Sequence, residues 1–284
     1  MSKTSTYYLP DHSHWPLVGS AALFTIMTGA YSWLHDSPLG PFIFAAGIGL
    51  LLFMLFGWFS KVIQENQAGL LKTPQVERSF RWGMFWFICT EVMFFAVFFG
   101  ALFYARVLSV PWLGGDGAGA LTHFILWPNF ESTWPLLKNP NPAQFPSIES
   151  VMETWGIPAL NTLILLTSGL TITWAHWGLL KNKRNHAIIG QLCTILLGVT
   201  FLVMQVIEYG EAYADNALKL SSGIYGSTFF MLTGFHGFHV TLGTTMLIVI
   251  LYRMIKGHFT AEHHFAFEGV AWYWHFVDVV WLGL

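Results

Sequence analysis

CTEVMFFAVFFG, residues 89–100, sets one carboxylate, Glu91, inside an apolar run. The nearest cations along the chain, Arg81 and Arg106, stand well to either side. An ionisable group at membrane depth costs several kcal/mol and has to face protein or a water-filled cavity. What Glu91 does therefore turns on the solvent around the run, and the rest of the sequence decides that.

Of 284 residues, 54% are hydrophobic and only 10% are charged. A soluble domain is about a quarter charged, so the chain reads as a membrane protein. A net charge of -2 offers no basic field to a nucleic acid. Cys89 and Cys193 lie in apolar runs, too few for a disulfide framework and without the spacing of a zinc site. The opening MSKTSTYYLPDHSHWP has neither the apolar core nor the cleavage site of a secretory signal, so the first span is expected to serve as the membrane address.

A bilayer needs about 20 apolar residues per helix. Seven runs meet that need, over 16–35, 40–60, 80–106, 156–180, 187–210, 224–254 and 266–284. The expected fold is an all-α membrane protein with seven transmembrane helices. The third and sixth runs exceed the bilayer, so tilt or protrusion is expected. Residues 109–155 are rich in Pro, Gly and Asn and read as an outer loop. The polar stretch 61–79 reads as a cytoplasmic hinge between an N-terminal part, 1–60, and a C-terminal part, 80–284.

Orientation follows the cations. With the N-terminus inside, Lys3, Lys61, Lys72, Arg78, Arg81, Lys181, Lys183, Arg184, Arg253 and Lys256 fall on the inner side. Only Arg106, Lys138 and Lys219 fall outside, together with acids such as Asp116, Glu149 and Glu211.

Glu91 lies ten residues past Arg81, roughly 15 Å deep at 1.5 Å per residue. Two readings stand: a proton-exchanging carboxyl, or a protonated acid linking two helices. TGFHGFHVT, 233–241, supplies partners, since His236 and His239 share a helix face. Counted from Arg253, His239 is roughly 21 Å deep, near the level of Glu91, so a Glu91–His239 or Glu91–His236 hydrogen bond is expected. In the last run Glu268, His275 and Asp278 form a polar stripe that must face protein. It is either a docking or relay face or an interhelix seam. Glu208 is expected to cap, pair or reach the outer interface.

Twelve His raise the question of metal. HFTAEHHF, 258–265, looks like a loose His box, and HGFH like another. His236 and His258 would stand roughly 33 Å apart along a helix, and neither stretch has the Glu of HExxH. No metal centre is expected, and His258, His263 and His264 read as interfacial. Nucleotide loops, nucleophile elbows and haem-attachment motifs are absent from the sequence.

HWPLVGS (14–20), FRWGMFWFICTEVMFF (80–95), PALNTLILLTSGLTITWAH (158–176), QVIEYGEA (205–212), YGSTFFMLTGFHGFHVTLG (225–243) and HFTAEHHFAFEGVAWYWHFVDVVWL (258–282) resemble subunit III of cytochrome c oxidase, in order along nearly the whole chain. The loop 109–155 is long for that family, and members usually run a few apolar residues past the position of Leu284. The resemblance implies helices grouped two and five around a lipid-filled cleft. It implies a multi-pass chain of a bacterial cytoplasmic membrane or an organelle inner membrane. It also implies a subunit without a redox centre, packed on subunit I, with haem and copper held by subunits I and II and with cytochrome c as an indirect partner. Support of proton uptake and of stability during turnover goes with it. Trp58, Glu65, Arg253 and His258 match the family's phospholipid contacts, and Glu91 its carbodiimide-reactive carboxyl. The two N-terminal spans favour cytochrome c over quinol as donor. A free-standing transporter and a membrane di-iron oxidoreductase remain as readings of the residues alone.

Overall fold

The computed structural model describes Tyr8 and residues 12–145, 147–148 and 150–284. Lys3 and Glu149, used above for orientation, lie outside the described residues. Regular structure among the described residues is helical: α1 (Trp15–Leu34), α2 (Gly40–Gln67), α3 (Pro74–Tyr104), α4 (Val110–Leu113), α5 (Ala120–Leu126), α6 (Ile157–Leu180), α7 (Arg184–Ala214), α8 (Ile224–Ile255) and α9 (Phe265–Gly283).

The ends of these helices follow from local chemistry. Proline stands in the first turn of α1, α2 and α6 and opens α3, where its missing N–H costs nothing. Four helices end on a left-handed residue: Asp36 after α1, Gly69 after α2, Asn182 after α6 and Gly257 after α8. In each case the next amide reaches back to a carbonyl of the last turn, as in Ser37 N to Ser32 O at 2.9 Å and Lys183 N to Gly178 O at 2.8 Å. Gly is the residue best suited to that backbone, and Asn or Asp tolerates it.

Residues up to Phe80 form one compact unit and Arg81–Leu284 another. In the first unit α1 lies along α2 with the two backbones close together. A Cβ on Gly29 would stand 2.3 Å from Phe44 N, and one on Gly47 2.6 Å from Ile26 N. Trp15 is buried against Phe53, ring centres 5.7 Å apart.

The second unit is built on a shared core from α3, α6, α7, α8 and α9, including Phe95, Leu165, Phe201, Val240 and Trp274. α6 and α7 run antiparallel at close range. A Cβ on Gly178 would meet Ala187 N at 2.7 Å, and the Thr171 and Thr194 hydroxyls bond at 2.7 Å.

α1, α2, α3 with its continuation to Leu113, α6, α7 and α8 are long and apolar enough to cross a membrane. α9 covers the expected last span but is not in that set. Glu268, His275 and Asp278 dilute its hydropathy, and its burial shows how they are tolerated. Trp274 and Val277 are fully buried, and Phe267, Tyr273 and Asp278 nearly so, so much of the helix surface meets protein rather than lipid.

Two stretches differ from the sequence reading. The non-helical connection between α2 and α3 is only 68–73, shorter than the polar segment 61–79. Polarity alone does not break a helix: Lys61 and Glu65 pair at 4.0 Å across one turn of α2, and the actual breakers are Gly69 and Pro74. Likewise, 109–155 is not irregular throughout. α3 passes through a π-helical segment, Ala105–Ser109, into α4, and the apolar ALTHFIL forms α5. The rest folds on small apolar clusters, one around Val110, Phe130 and Leu136 and one around Ile148, Ala212, Leu218 and Phe230.

Candidate functional site

Glu91 sits on α3, half-buried, with Oε2 3.0 Å from Nε2 of His239 on α8. The other imidazole nitrogen of His239, Nδ1, is 2.6 Å from the carbonyl of Phe235. A carbonyl only accepts, so Nδ1 carries a proton. Nε2 then either accepts from a protonated Glu91 or, as an imidazolium, donates to its carboxylate. Both forms hold one proton between the partners and both are neutral as a pair, which is how an acid is carried at membrane depth without an isolated charge. Phe94, Phe95 and Tyr273 surround the imidazole, with ring centres 5.0 to 6.3 Å from it.

His236 does not reach Glu91. It is fully buried, and its Nε2 donates to the carbonyl of Val277 on α9 at 3.1 Å. The spacing that puts it on the same face as His239 leaves it one turn further toward α9, against the ring of Trp281.

The polar stripe of α9 divides. Glu268 takes a two-armed contact from Arg81, the eighth residue of α3, with Nε at 3.1 Å and Nη2 at 2.9 Å from Oε2. His275 and Asp278 turn toward α6. His275 Nδ1 is 3.7 Å from Asp278, its Nε2 is 3.4 Å from the Thr173 hydroxyl, and Asp278 lies where a side chain on Gly169 would clash. α9 is tied to α6 again by Trp274 Nε1 donating to Ser168 at 2.8 Å and Trp281 Nε1 to Thr162 at 3.0 Å.

The residues matched to lipid contacts fall in both units. Trp58 and Glu65 are on α2. Arg253 ends α8, and His258 follows it. Arg253 is buried with its guanidinium 4.6 Å over the ring of Phe259. Its Nε, like Nδ1 of His258, is buried without a protein partner. Burial, together with the charges of Arg253 and Lys256, pushes the His258 imidazole below its ordinary value.

Two contacts, Arg81 with Glu268 and His176 with His264, go beyond the sequence reading, while Glu208 pairs within its own helix. Arg81 joins α3 to Glu268 of α9. His176 on α6 and His264 before α9 meet with Nε2 atoms 3.1 Å apart. Glu208 is buried on α7 and accepts from Gln205 at 3.2 Å. The depth count that joined Glu91 to His239 also reaches the histidine pair, since His176 lies near the end of α6 and His264 at the start of α9. Among the described residues, no three His, Cys, Asp or Glu side chains converge as a metal-binding group.

A family profile described as cytochrome c oxidase subunit III matches residues 5–119 and 121–284. The chain is 41% identical over 278 residues to cytochrome c oxidase subunit 3 of Scyliorhinus canicula, covering 98% of this chain and 94% of the relative. The identity to the protein of the same name from Mus musculus is 40% over 282 residues, 99% and 95% of the two chains. That from Gadus morhua is 40% identical over 278 residues, 98% and 94%.

Proposed function

Because the chain belongs to the cytochrome c oxidase subunit III family, we propose that it is the accessory, non-redox subunit of a proton-pumping oxidase. In this reading it packs on subunit I, and haem and copper reside in subunits I and II, where cytochrome c delivers electrons. The chain itself supports proton uptake on the inner side and keeps the enzyme intact during turnover.

The observation that carries the reading is the pairing of ionisable side chains within the chain. Glu91 is bonded to His239, Glu268 to Arg81 and His176 to His264. Groups committed to one another hold helices together and leave the chemistry of oxygen to partners. We place seven spans in the membrane, α9 being the seventh, in an inner membrane with the N-terminus inside. The grouping of α1 and α2 in one unit and the later long helices in the other supports a two-plus-five division. Phospholipid is the proposed ligand of Trp58 and Glu65 on one unit and of Arg253 and His258 on the other. The unpartnered Nε of Arg253 and Nδ1 of His258 suit a phosphate oxygen.

Removal of this chain from the purified oxidase tests the proposal. Haem and copper are expected to stay with the remaining subunits and initial oxygen reduction to persist, while activity decays over successive turnovers. Loss of haem or copper with this chain would overturn it.

A further inference from the structure

Four buried polar atoms on three side chains stand without a protein partner among the described residues: Oδ1 and Nδ2 of Asn161 on α6, Oε1 of Gln205 on α7 and Nδ1 of His236 on α8. Asn161 and His236 are fully buried, and Gln205 is 5% exposed. The contacts around them set all three at one level of the second unit. α6 and α7 run antiparallel in a constant register, Gly178 against Ala187, Ala175 against Gly190 and Thr171 against Thr194. Continued toward the start of α6, that register brings Asn161 level with Gln205. Trp281 of α9 joins His236 to them. Its Nε1 donates to Thr162, the neighbour of Asn161, at 3.0 Å. Its ring centre lies 4.8 Å from that of Phe201, one turn from Gln205, and 5.0 Å from that of His236.

The neighbours of each atom fix what it can do. His236 Nε2 donates to the Val277 carbonyl at 3.1 Å, so in the neutral ring Nδ1 is an acceptor. Gln205 Nε2 donates to Glu208 Oε2 at 3.2 Å, which leaves Oε1 as an acceptor. Asn161 adds a further acceptor and an amide nitrogen with its N–H groups. Left unpaired in a packed interior, each of these atoms would carry the full cost of its desolvation. A cation would satisfy the acceptors and repel the amide N–H groups, and an apolar ligand would satisfy neither. Water both donates and accepts. One molecule has too few O–H groups for all the acceptors. About two molecules supply enough, with an O–H left to join them, and their lone pairs take the Asn161 N–H groups.

We propose that Asn161, Gln205 and His236 bind internal water, about two molecules, between α6, α7, α8 and α9. The water links α6 to α7 and α8, sets the turn of the Asn161 amide and holds the Nδ1 lone pair of His236. Through the Gln205 amide it is coupled to Glu208, so the buried carboxyl and the buried imidazole belong to one hydrogen-bonded cluster.

The test uses the purified membrane complex that contains this chain. An electron cryomicroscopy map that resolves buried water elsewhere in the complex is expected to show water density within about 2.7–3.2 Å of the Asn161 amide, Gln205 Oε1 and His236 Nδ1. No density there, density of a bound ion, or the three side chains bonded directly to one another overturns the proposal. Pulsed radiolysis after equilibration in H2 18O gives a second reading. Hydroxyl radical formed from bound water attacks the ring beside it, so the fully buried His236 is expected to gain 18O, read by peptide mass spectrometry. A variant carrying both Asn161→Leu and Gln205→Leu is expected to lose that label. A wild-type His236 that stays unlabelled overturns the proposal, and so does equal labelling in the variant. The wild-type map and label decide by themselves if the variant fails to assemble.

Discussion

At the scale of single residues, the contact between Glu91 and His239 makes the sharpest prediction. Because Nδ1 of His239 donates to the carbonyl of Phe235, Nε2 is the nitrogen through which the imidazole shares a proton with Glu91. His239→Asn is expected to shift the carboxyl stretch of Glu91 in a difference infrared spectrum, and His236→Asn, whose imidazole bonds Val277, to leave it in place. An unmoved band in His239→Asn would remove the pair from the account. Glu91→Gln is expected to keep most oxygen reduction, since the pair links helices rather than substrates. His258 gives a pH dependence. Its imidazole titrates below the ordinary value near 6.5, so the folded chain holds it neutral where the unfolded chain takes up a proton. Its contribution is fully present above about pH 6.5 and is lost as pH falls through the lower, folded value. Thermal inactivation should therefore quicken on the acid side, and His258→Gln should flatten that limb of the profile. The pairing of Glu91 could be read from depth along two helices, because both partners lie a countable number of residues from a basic inner boundary. The bond between Arg81 and Glu268 could not be read so. An arginine at a span end looks like any other inner cation until the helix that faces it is known.

At the scale of elements, close approach decides which helices pair. Gly47 has the backbone of Ile26 where its own Cβ would be, so Gly47→Leu cannot keep the α1–α2 distance. Overpacking of this kind costs about 1–3 kcal/mol or more. The variant is expected to raise the protease sensitivity of the N-terminal unit in membranes, whereas Gly49→Leu, with open space around it, should be silent. Helix positions were legible because apolar length is a strong signal. Their ends were less so, for the sequence marks breakers and not polarity: α2 runs through KVIQENQ until Gly69 permits the left-handed turn. α9 shows the opposite limit. Its stripe was visible, but the burial of Trp274 and Val277 on its other faces depends on which helices surround it, and periodicity along one helix does not carry that information.

At the scale of the whole molecule, the orientation proposed from the cation bias is one that labelling can check. In a Cys89→Ser, Cys193→Ser background, Lys72→Cys is expected to react with an impermeant maleimide only from the inner side and Lys138→Cys only from the outer side. The reverse pattern would invert the proposed topology. The division into two units has a bearing on how the protein is made. α1 and α2 are joined by a turn of residues 35–39 and meet backbone to backbone at Gly29 and Gly47, so every contact that pairs them is present once Gln67 has left the ribosome. The N-terminal hairpin can enter the lipid as a finished insertion unit while the codons for α6 to α9 are still unread.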